Sequence, residues 1–232
     1  QPARAMTPAE IEEAVSAYAA AASRAKAAGF DAVQLHGAHG YLINQFLSPF
    51  SNRRTDAWGG DIDARTRFLR EVCAAVRSEV GVDYPVFIKF GMVDGVKGGL
   101  TLDGSLEVVA AMGEMGLDGI EVSGGIGGGT DLNSRKAILK PEHEAYFRHL
   151  AKAARRATDL PILLVGGLRS RSVMDDVLSS GDADVISMSR PLICEPDLPK
   201  RLRDGQERSA CISANRCWPE GTDEGIACHC PV

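Results

Sequence analysis

The sequence predicts an α/β fold with a parallel sheet, and three observations support this prediction. Five short apolar segments alternate with stretches of helical periodicity, which is typical of parallel strands joined by helices. No dinucleotide-binding fingerprint follows the first segment, and glycine-rich loops come late in the chain. Late glycine loops are typical of a (β/α)8 barrel, in which the loops after strands seven and eight hold phosphate. We therefore predict such a barrel, of which residues 1–205 supply about strands 4 to 8 with their helices.

The first helix and strand have clear boundary signals. Thr7-Pro8-Ala9-Glu10 is a capping box with proline in the first turn, so a helix begins there. Gly29 ends this helix, and residues 32–35 form the first strand. Between these limits, apolar residues recur with the period of a helix at Ile11, Ala14, Val15, Tyr18 and Ala22.

The same helix-then-strand unit repeats along the rest of the chain. Apolar periodicity predicts further helices around 68–80, 106–112, 146–153 and 174–178, and a last short helix near 198–202. The strands that follow the first four of these helices are predicted at 85–90, 119–123, 161–165 and 184–188. An open doubly wound sheet is the alternative, because five strands suffice for it and a closed barrel needs eight.

Composition and charge exclude several classes of function. The 232 residues are 44% hydrophobic and 25% charged, with a net charge of -5, as in an ordinary globular protein. The basic residues are scattered, so we expect no nucleic-acid partner. No apolar run has the length of a membrane span, so we expect a cytoplasmic protein without a membrane partner. In that reducing compartment, the six cysteines indicate thiols or metal ligands before disulfides.

The residues His36-Gly-Ala-His39-Gly-Tyr41 directly follow the first predicted strand. They therefore lie at the carboxyl end of a barrel strand, where barrel enzymes carry out their chemistry. Two imidazoles can bind a carbonyl oxygen, and a phenol can donate a proton to a nearby carbon. The alternative is a pair of histidines that caps the strand, with Tyr41 in a packing role.

The loop after these residues carries a longer pattern, at 44–49 (NQFLSP), 51–56 (SNRRTD) and Gly59-Gly60. Together with the histidines and Tyr41, it resembles the flavin-dependent ene-reductases of the Old Yellow Enzyme family. With five of eight barrel strands, the chain corresponds to about the last two thirds of a family member. The resemblance implies an FMN-dependent oxidoreductase that takes hydride from NAD(P)H and reduces the C=C bond of an α,β-unsaturated carbonyl compound. It also implies that His36 and His39 bind the substrate carbonyl and that Tyr41 donates the proton.

The resemblance assigns cofactor contacts to the later strands. Lys89 lies inside an apolar strand, where the family has a basic residue, most often arginine, that contacts the flavin. Gly166-Gly167 and Ser189-Arg190 follow the last two strands, and the family places the flavin phosphate between these loops. The alternatives are a Lys89 side chain that reaches solvent and glycine pairs that form tight turns. Residues 94–99 predict either a mobile loop over the site or a plain connector.

The tail at 206–232 contains four cysteines, Cys211, Cys217, Cys228 and Cys230. Some longer relatives bind an iron–sulfur cluster at this place. Here Ala214 stands where the second ligand is expected, and the spacing to Cys217 is one residue short. The four thiols are therefore candidate ligands of an iron–sulfur cluster or of zinc, and a tail with free thiols is the alternative.

The sequence leaves two further hypotheses open. One is a barrel fragment without catalysis, and the other is a different phosphate-binding barrel enzyme, such as an isomerase or aldolase. Because a partial barrel leaves two open strand edges, we expect a homo-oligomer. In the family, early strands carry part of the flavin site, so we expect weak or no FMN binding by this chain alone.

Overall fold

The structure is a computed structural model that describes residues 4–127 and 132–217. Five parallel strands form one sheet in the order β1-β2-β3-β4-β5. The strands are β1 (Val33–Gly37), β2 (Val86–Gly91), β3 (Gly119–Ser123), β4 (Ile162–Leu164) and β5 (Val185–Ile186). The strand order follows the chain without a reversal, so the sheet lacks the switch point that defines a doubly wound fold.

Eight α-helices and one 3₁₀-helix lie in the described part of the chain. They are α1 (Pro8–Ala27), α2 (Leu42–Leu47), α3 (Ile62–Val80), α4 (Leu102–Ala111), η1 (Pro141–His143), α5 (Arg148–Arg155), α6 (Arg171–Ser179), α7 (Arg190–Cys194) and α8 (Leu198–Arg203). The predicted capping box is confirmed, because Glu10 N–H donates to Thr7 Oγ1 and Thr7 N–H donates to Glu10 Oε2. Gly29, just after α1, has a φ of +85°, which favours glycine.

The two faces of the sheet differ in burial. Paired positions Leu35, Ile88, Ile120 and Ile162 form a row that is almost fully buried and belongs to the hydrophobic core that the sheet shares with the helices. The next row along the strands lies on the opposite, inner face. It consists of His36, Lys89, Glu121, Leu163 and Val185, and these side chains are only partly buried or, for Val185, exposed. One row therefore builds the core, and the other presents polar groups on the inner face.

Helices α1 and α3 form the largest helical contact of the fold, and Tyr18 packs edge-on against Phe68. Asp61 caps the N-terminus of α3, because its side chain accepts a hydrogen bond from Ala64 N–H at 2.9 Å. In residues 4–127 and 132–217, no helix has the length and apolarity needed to cross a lipid bilayer.

Candidate functional site

The three residues predicted after the first strand lie together at the carboxyl end of β1. The ring centroids of His36 and Tyr41 are 4.7 Å apart, and those of His36 and His39 are 5.7 Å apart. Tyr41 is 58% exposed, so its phenol is open to a molecule on the inner face of the sheet. The structure thus places two imidazoles and one phenol within reach of a single small molecule.

A tight turn brings these side chains together. His39 and Gly40 have φ angles of +62° and +81°, so two successive left-handed residues turn the chain from β1 into α2. Gly40 N–H donates to Asn44 Oδ1 at 2.7 Å, and the Asn44 amide donates to Asp94 Oδ1 at 3.2 Å. The turn that carries His39 and Tyr41 is therefore held by the buried Asn44 side chain, which is itself held by the buried Asp94 carboxylate.

Asp94 is a part of this site that the sequence interpretation missed. It is 1% exposed and accepts hydrogen bonds from the Ser48 hydroxyl, the Asn44 amide and Leu100 N–H. This carboxylate attaches the start of segment 94–99 to α2, which favours a plain connector at Asp94. A carboxylate shortly after β2 was the available signal, although two of its partners, Asn44 and Ser48, are far away in the sequence.

His39 uses both ring nitrogens within the protein. Its Nδ1 lies 2.9 Å from the carbonyl oxygen of Gly125, and its Nε2 lies 3.0 Å from Ser123 Oγ. A carbonyl oxygen only accepts, so Nδ1 carries the proton, and neutral Nε2 accepts from the Ser123 hydroxyl. Burial lowers the pKa of His39 despite the opposing bond to Gly125, so the ring is neutral near pH 7.

His36 has a different environment. Burial lowers its pKa, and the positive charge of Lys89 lowers it further, whereas Glu121 acts in the opposite direction. The described residues offer its ring contacts with His39 and Tyr41 but no hydrogen bond. A neutral imidazole in this position retains one N–H for a ligand.

Lys89 forms an ion pair on the inner face of the sheet. It lies next to His36 in the β1–β2 register and next to Glu121 in the β2–β3 register. Its Nζ donates to Glu121 Oε1, and Gln34 Nε2 donates to Glu121 Oε2 at 3.2 Å. The Lys89 and Glu121 side chains are 22% and 12% exposed, so two opposite charges lie in a largely desolvated position. The sequence interpretation missed Glu121, although a charge inside the apolar strand 119–123 was visible.

Gly166-Gly167 follows β4 and has positive φ at both residues, +142° and +71°. A Cβ on Gly166 would lie 3.2 Å from Phe147 N, and one on Gly167 would lie 3.0 Å from Tyr146 Cε1. Close packing of these two aromatic residues, together with the positive φ angles, is therefore one reason why glycine occupies both positions. This agrees with the alternative that the glycine pair forms a tight turn.

The second predicted loop continues β5 into α7. Ser189 is the N-cap residue of α7, and its side chain forms no capping hydrogen bond. Arg190 Nη1 donates to the carbonyl oxygen of Arg135 and to Asn215 Oδ1, which leaves Nε and Nη2 without a hydrogen bond in the described residues.

These groups fit the flavin cofactor that the sequence resemblance implies. In the described part of the chain, the backbone N–H groups of Gly167, Ser189 and Arg190 make no hydrogen bond to the protein. Such N–H groups at strand ends, together with free guanidinium donors, suit a phosphate. Lys89 adds a positive charge on the inner face. Such a charge would stabilise a flavin ring that becomes anionic on reduction.

The segment after α8 is hydrogen-bonded to the rest of the fold, because Ser209 donates to Glu195 and Asn215 accepts from Arg190. Cys211 is buried and Cys217 is partly exposed, whereas Cys228 and Cys230 lie outside the described residues. Residues 4–127 and 132–217 contain no group of three or more His, Cys, Asp or Glu side chains that could hold a metal ion. The metal site proposed from the sequence is thus not formed by the described residues alone.

Comparisons with known proteins indicate the family of this chain. Residues 1–209 match the NADH:flavin oxidoreductase / NADH oxidase family. The NADH oxidase of Thermoanaerobacter brockii is 36% identical over 216 residues, which are 91% of this chain and 32% of that protein.

Two solved structures show the same fold. A 2-naphthoyl-CoA reductase in complex with 2-naphthoyl-CoA has a TM-score of 0.84 and 33% identity, over 93% of this chain and 33% of that one. An old yellow enzyme homologue from Zymomonas mobilis has a TM-score of 0.71 and 25% identity, over 99% and 61%. The predicted (β/α)8 barrel, of which this chain supplies five strands, is confirmed by these neighbours. The chain spans about a third to three fifths of the length of the proteins that it matches.

Proposed function

Because this chain belongs to the NADH:flavin oxidoreductase / NADH oxidase family, we propose that it supplies the carbonyl-binding and proton-donating part of an FMN-dependent enzyme. The proposed reaction uses NAD(P)H to reduce the C=C bond of an α,β-unsaturated carbonyl compound. One observation carries the proposal: His36 and Tyr41 are in ring contact at the carboxyl end of β1, beside Lys89. Family membership argues against an isomerase or aldolase, and the ion pair of Lys89 with Glu121 disfavours a Schiff-base lysine.

His36 is proposed to hold the substrate carbonyl. Negative charge develops on the carbonyl oxygen when the alkene is reduced, and a neutral imidazole N–H stabilises that charge. Loss of a comparable donor costs roughly 3–4 kcal/mol in other enzymes.

His39 is proposed as the second carbonyl-binding residue, as the family resemblance implies. Its Nδ1–H is bonded to Gly125, so it can donate to a ligand only if Nε2 gains a proton and Ser123 turns its hydroxyl away. The geometry therefore supports His36 more directly than His39 in this role.

Tyr41 is proposed as the proton donor to the α-carbon. Its phenol is exposed at the carboxyl end of β1 and its ring contacts His36, so one substrate can touch both side chains. The turn held by Asn44 and Asp94 fixes the backbone from which Tyr41 projects. This arrangement is suited to general acid catalysis, which depends on a positioned donor.

The proposed cofactor contacts come from three strands. Lys89 would approach the flavin ring, whereas Gly166, Gly167, Ser189 and Arg190 would hold its phosphate. FMN, when bound, supplies the hydride that it receives from NAD(P)H. The chain spans only part of its relatives, so we propose that it binds FMN weakly or not at all without the family's early strands.

The proposal is tested with the chain alone and with the early strands of a relative supplied as a second polypeptide. FMN binding is followed by quenching of flavin fluorescence, and activity by anaerobic NADPH oxidation with 2-cyclohexen-1-one. We expect activity only in the complemented protein, with a loss of at least tenfold in Tyr41→Phe and His36→Ala. Tyr84→Phe is the matched control, since Tyr84 donates to the carbonyl oxygen of Phe30 away from these residues.

Three outcomes contradict parts of the proposal. A complemented, flavin-loaded protein that oxidises NADPH without reducing the enone would exclude the proposed substrate class. Equal activity of Tyr41→Phe and Tyr84→Phe would exclude Tyr41 as the proton donor. A yellow chain with one flavin per polypeptide would overturn the expectation of weak binding.

A non-catalytic barrel fragment that assembles with a partner is the second candidate. It is favoured by the inner face, where Val185 is 45% exposed, and by the edges of β1 and β5, which pair with no further strand in the described residues. Open parallel edges favour association, so we also propose a homo-oligomer. Light scattering and flavin absorbance of the complemented protein separate the two candidates, because an assembly with the early strands that takes up no flavin supports the second.

A further inference from the structure

The ion pair of Lys89 and Glu121 lies on the inner face of the sheet, and both side chains are largely shielded from solvent. Both residues lie in the same row of neighbouring strands, and their registers bring them directly opposite each other. Gln34 of β1 donates to the second oxygen of Glu121 and so holds the carboxylate from the other side. The carboxylate thus has two partners on two strands, and its orientation is fixed.

The position of this pair gives it an effect on the site. His36 is the register neighbour of Lys89, and the charges of Lys89 and Glu121 both act on His36 and His39. Lys89 disfavours a proton on either imidazole, and Glu121 favours one. At low exposure such opposite charges are weakly screened by solvent, so removal of one leaves the other largely uncompensated.

We propose that Glu121 is a positioning residue, which holds the Lys89 ammonium on the inner face and offsets its charge for every group bound there. This inference rests on the proposed function only as far as the flavin is concerned. Where the family resemblance implies a basic residue, most often arginine, this chain has a lysine that already has a carboxylate partner. Glu121 therefore sets how much positive charge remains to stabilise a reduced, anionic flavin.

Among the described residues, the titratable groups on which both charges act are His36 at the end of β1 and His39 in the turn after it, and the Tyr41 ring contacts His36. Gln34 is neutral, so the variant Glu121→Gln changes the charge and keeps a side chain of similar shape. Lys89→Met changes the charge in the opposite sense, and the double variant Lys89→Met/Glu121→Gln removes both charges.

The experiment measures the histidine ring signals by NMR over a pH titration of the chain itself, without flavin. The signals of His36 and His39 are assigned with His36→Asn and His39→Asn, and exposed His143 and His149 serve as internal references. We expect both site histidines to titrate at lower pH in Glu121→Gln and at higher pH in Lys89→Met. In the double variant, the pH at which the two histidines titrate should return toward that of the native chain. Glu114→Gln, which changes an exposed carboxylate, should leave both titrations unchanged.

Unchanged titrations of His36 and His39 in both Glu121→Gln and Lys89→Met would overturn the proposal, because a purely structural pair has no such effect. Lys89→Met serves as the second test if Glu121→Gln does not fold. In complemented, FMN-loaded protein we further expect a higher flavin midpoint potential in Glu121→Gln, and a lower one would also overturn the proposal. Histidine shifts in a protein that never reduces an enone would refute the proposed function and support the role of Glu121.

Discussion

The Nε2 atom of His39 lies 3.0 Å from the hydroxyl oxygen of Ser123, and this contact joins the turn after β1 to the end of β3. The strands β1 and β3 are separated by β2, so the contact spans the carboxyl edge of three strands. Ser123 is 1% exposed, and water therefore cannot replace its hydroxyl without a rearrangement. The orientation of the His39 ring is thus set by a residue 84 positions away in the sequence.

Ser123→Ala removes the donor to His39 Nε2 and leaves that nitrogen without a partner. We expect the free energy of unfolding to fall by about 1 kcal/mol, the usual effect of one lost buried hydrogen bond. Urea unfolding monitored by circular dichroism measures this change. Ser78→Ala, on the exposed side of α3, is the matched control and should stay within about 0.5 kcal/mol of the native chain. Equal values for the two variants would show that the contact does not contribute to stability.

The two site histidines predict how stability depends on pH. Burial is the main cause that lowers both pKa values below the ordinary 6.5. The unfolded chain therefore binds protons that the folded chain does not, between pH 6.5 and the lowered folded values. Stability is full above that window and falls as the pH drops through it.

Urea unfolding at about pH 7.5, 6.5 and 5.5 measures this slope, since the carboxylates remain ionised over that range. His39→Asn should show a shallower decline than the native chain, because one of the two depressed groups is gone. His149→Asn, which changes an exposed histidine, should keep the native slope. A native slope in His39→Asn would mean that His39 is not buried in its neutral form.

The hydrogen bonds of Asp94 link it to the turn after β1, so we expect a substitution of Asp94 to affect that turn. Asp94→Ala leaves the Ser48 hydroxyl, the Asn44 amide and Leu100 N–H without their acceptor. We expect a loss of roughly 3 kcal/mol in the free energy of unfolding, because buried donors without partners are costly. The Gly40 amide should also exchange its hydrogen faster, since the Asn44 side chain that accepts its bond is no longer held.

Hydrogen exchange read by NMR at Gly40 tests this link, and urea unfolding measures the loss of stability. Asp83→Ala, which changes an exposed aspartate in the loop before β2, is the control and should change neither quantity. If Gly40 exchanges at the native rate in Asp94→Ala, the turn that carries His39 and Tyr41 does not depend on Asp94.

Short apolar segments in the sequence predicted all five strands, and the barrel interpretation predicted their order in the sheet, although two strands are shorter than expected. The segments predicted at 161–165 and 184–188 contain β4 (Ile162–Leu164) and β5 (Val185–Ile186). The residues beyond these short strands form glycine and serine loops whose backbone leaves the sheet. Periodicity could not show this, because a loop that follows a buried strand can be equally apolar.

The helices α2 and α7 and the partners of the charged site residues could not be predicted from the sequence. Neither helix has a side-chain N-cap, and α2 is fixed by the tertiary bond between Asn44 and Asp94. The pairing of Lys89 with Glu121 depends on the register of two strands that lie 32 positions apart, and no local pattern encodes that register. The histidines and Tyr41 were identifiable because one turn of adjacent residues holds all three.

Glu195 attaches the segment after α8 to the rest of the fold. Its carboxylate accepts hydrogen bonds from the Ser209 hydroxyl, Ala210 N–H and the Gln206 amide. Burial raises its pKa, but the hydrogen bonds outweigh that effect, so the net pKa is below the ordinary 4.5. Glu195→Ala removes the shared acceptor of three donors, and we expect residues 206–217 to detach from the barrel part before the rest unfolds.

Cys211 reports this detachment, because it is 5% exposed in the folded chain. We expect iodoacetamide to label Cys211 at least tenfold faster in Glu195→Ala than in the native chain, as read by peptide mass spectrometry. Cys73 is the internal reference for global unfolding, since burial raises the pKa of its thiol to about 12 and it should stay unlabelled in both proteins. Glu207→Ala, which changes an exposed carboxylate in the same segment, should leave the labelling of Cys211 at the native rate. Joint labelling of Cys73 and Cys211 would instead mean that Glu195 stabilises the whole fold, and an unlabelled Cys211 would mean that Arg169, which donates to Ser209 O, holds the segment without it.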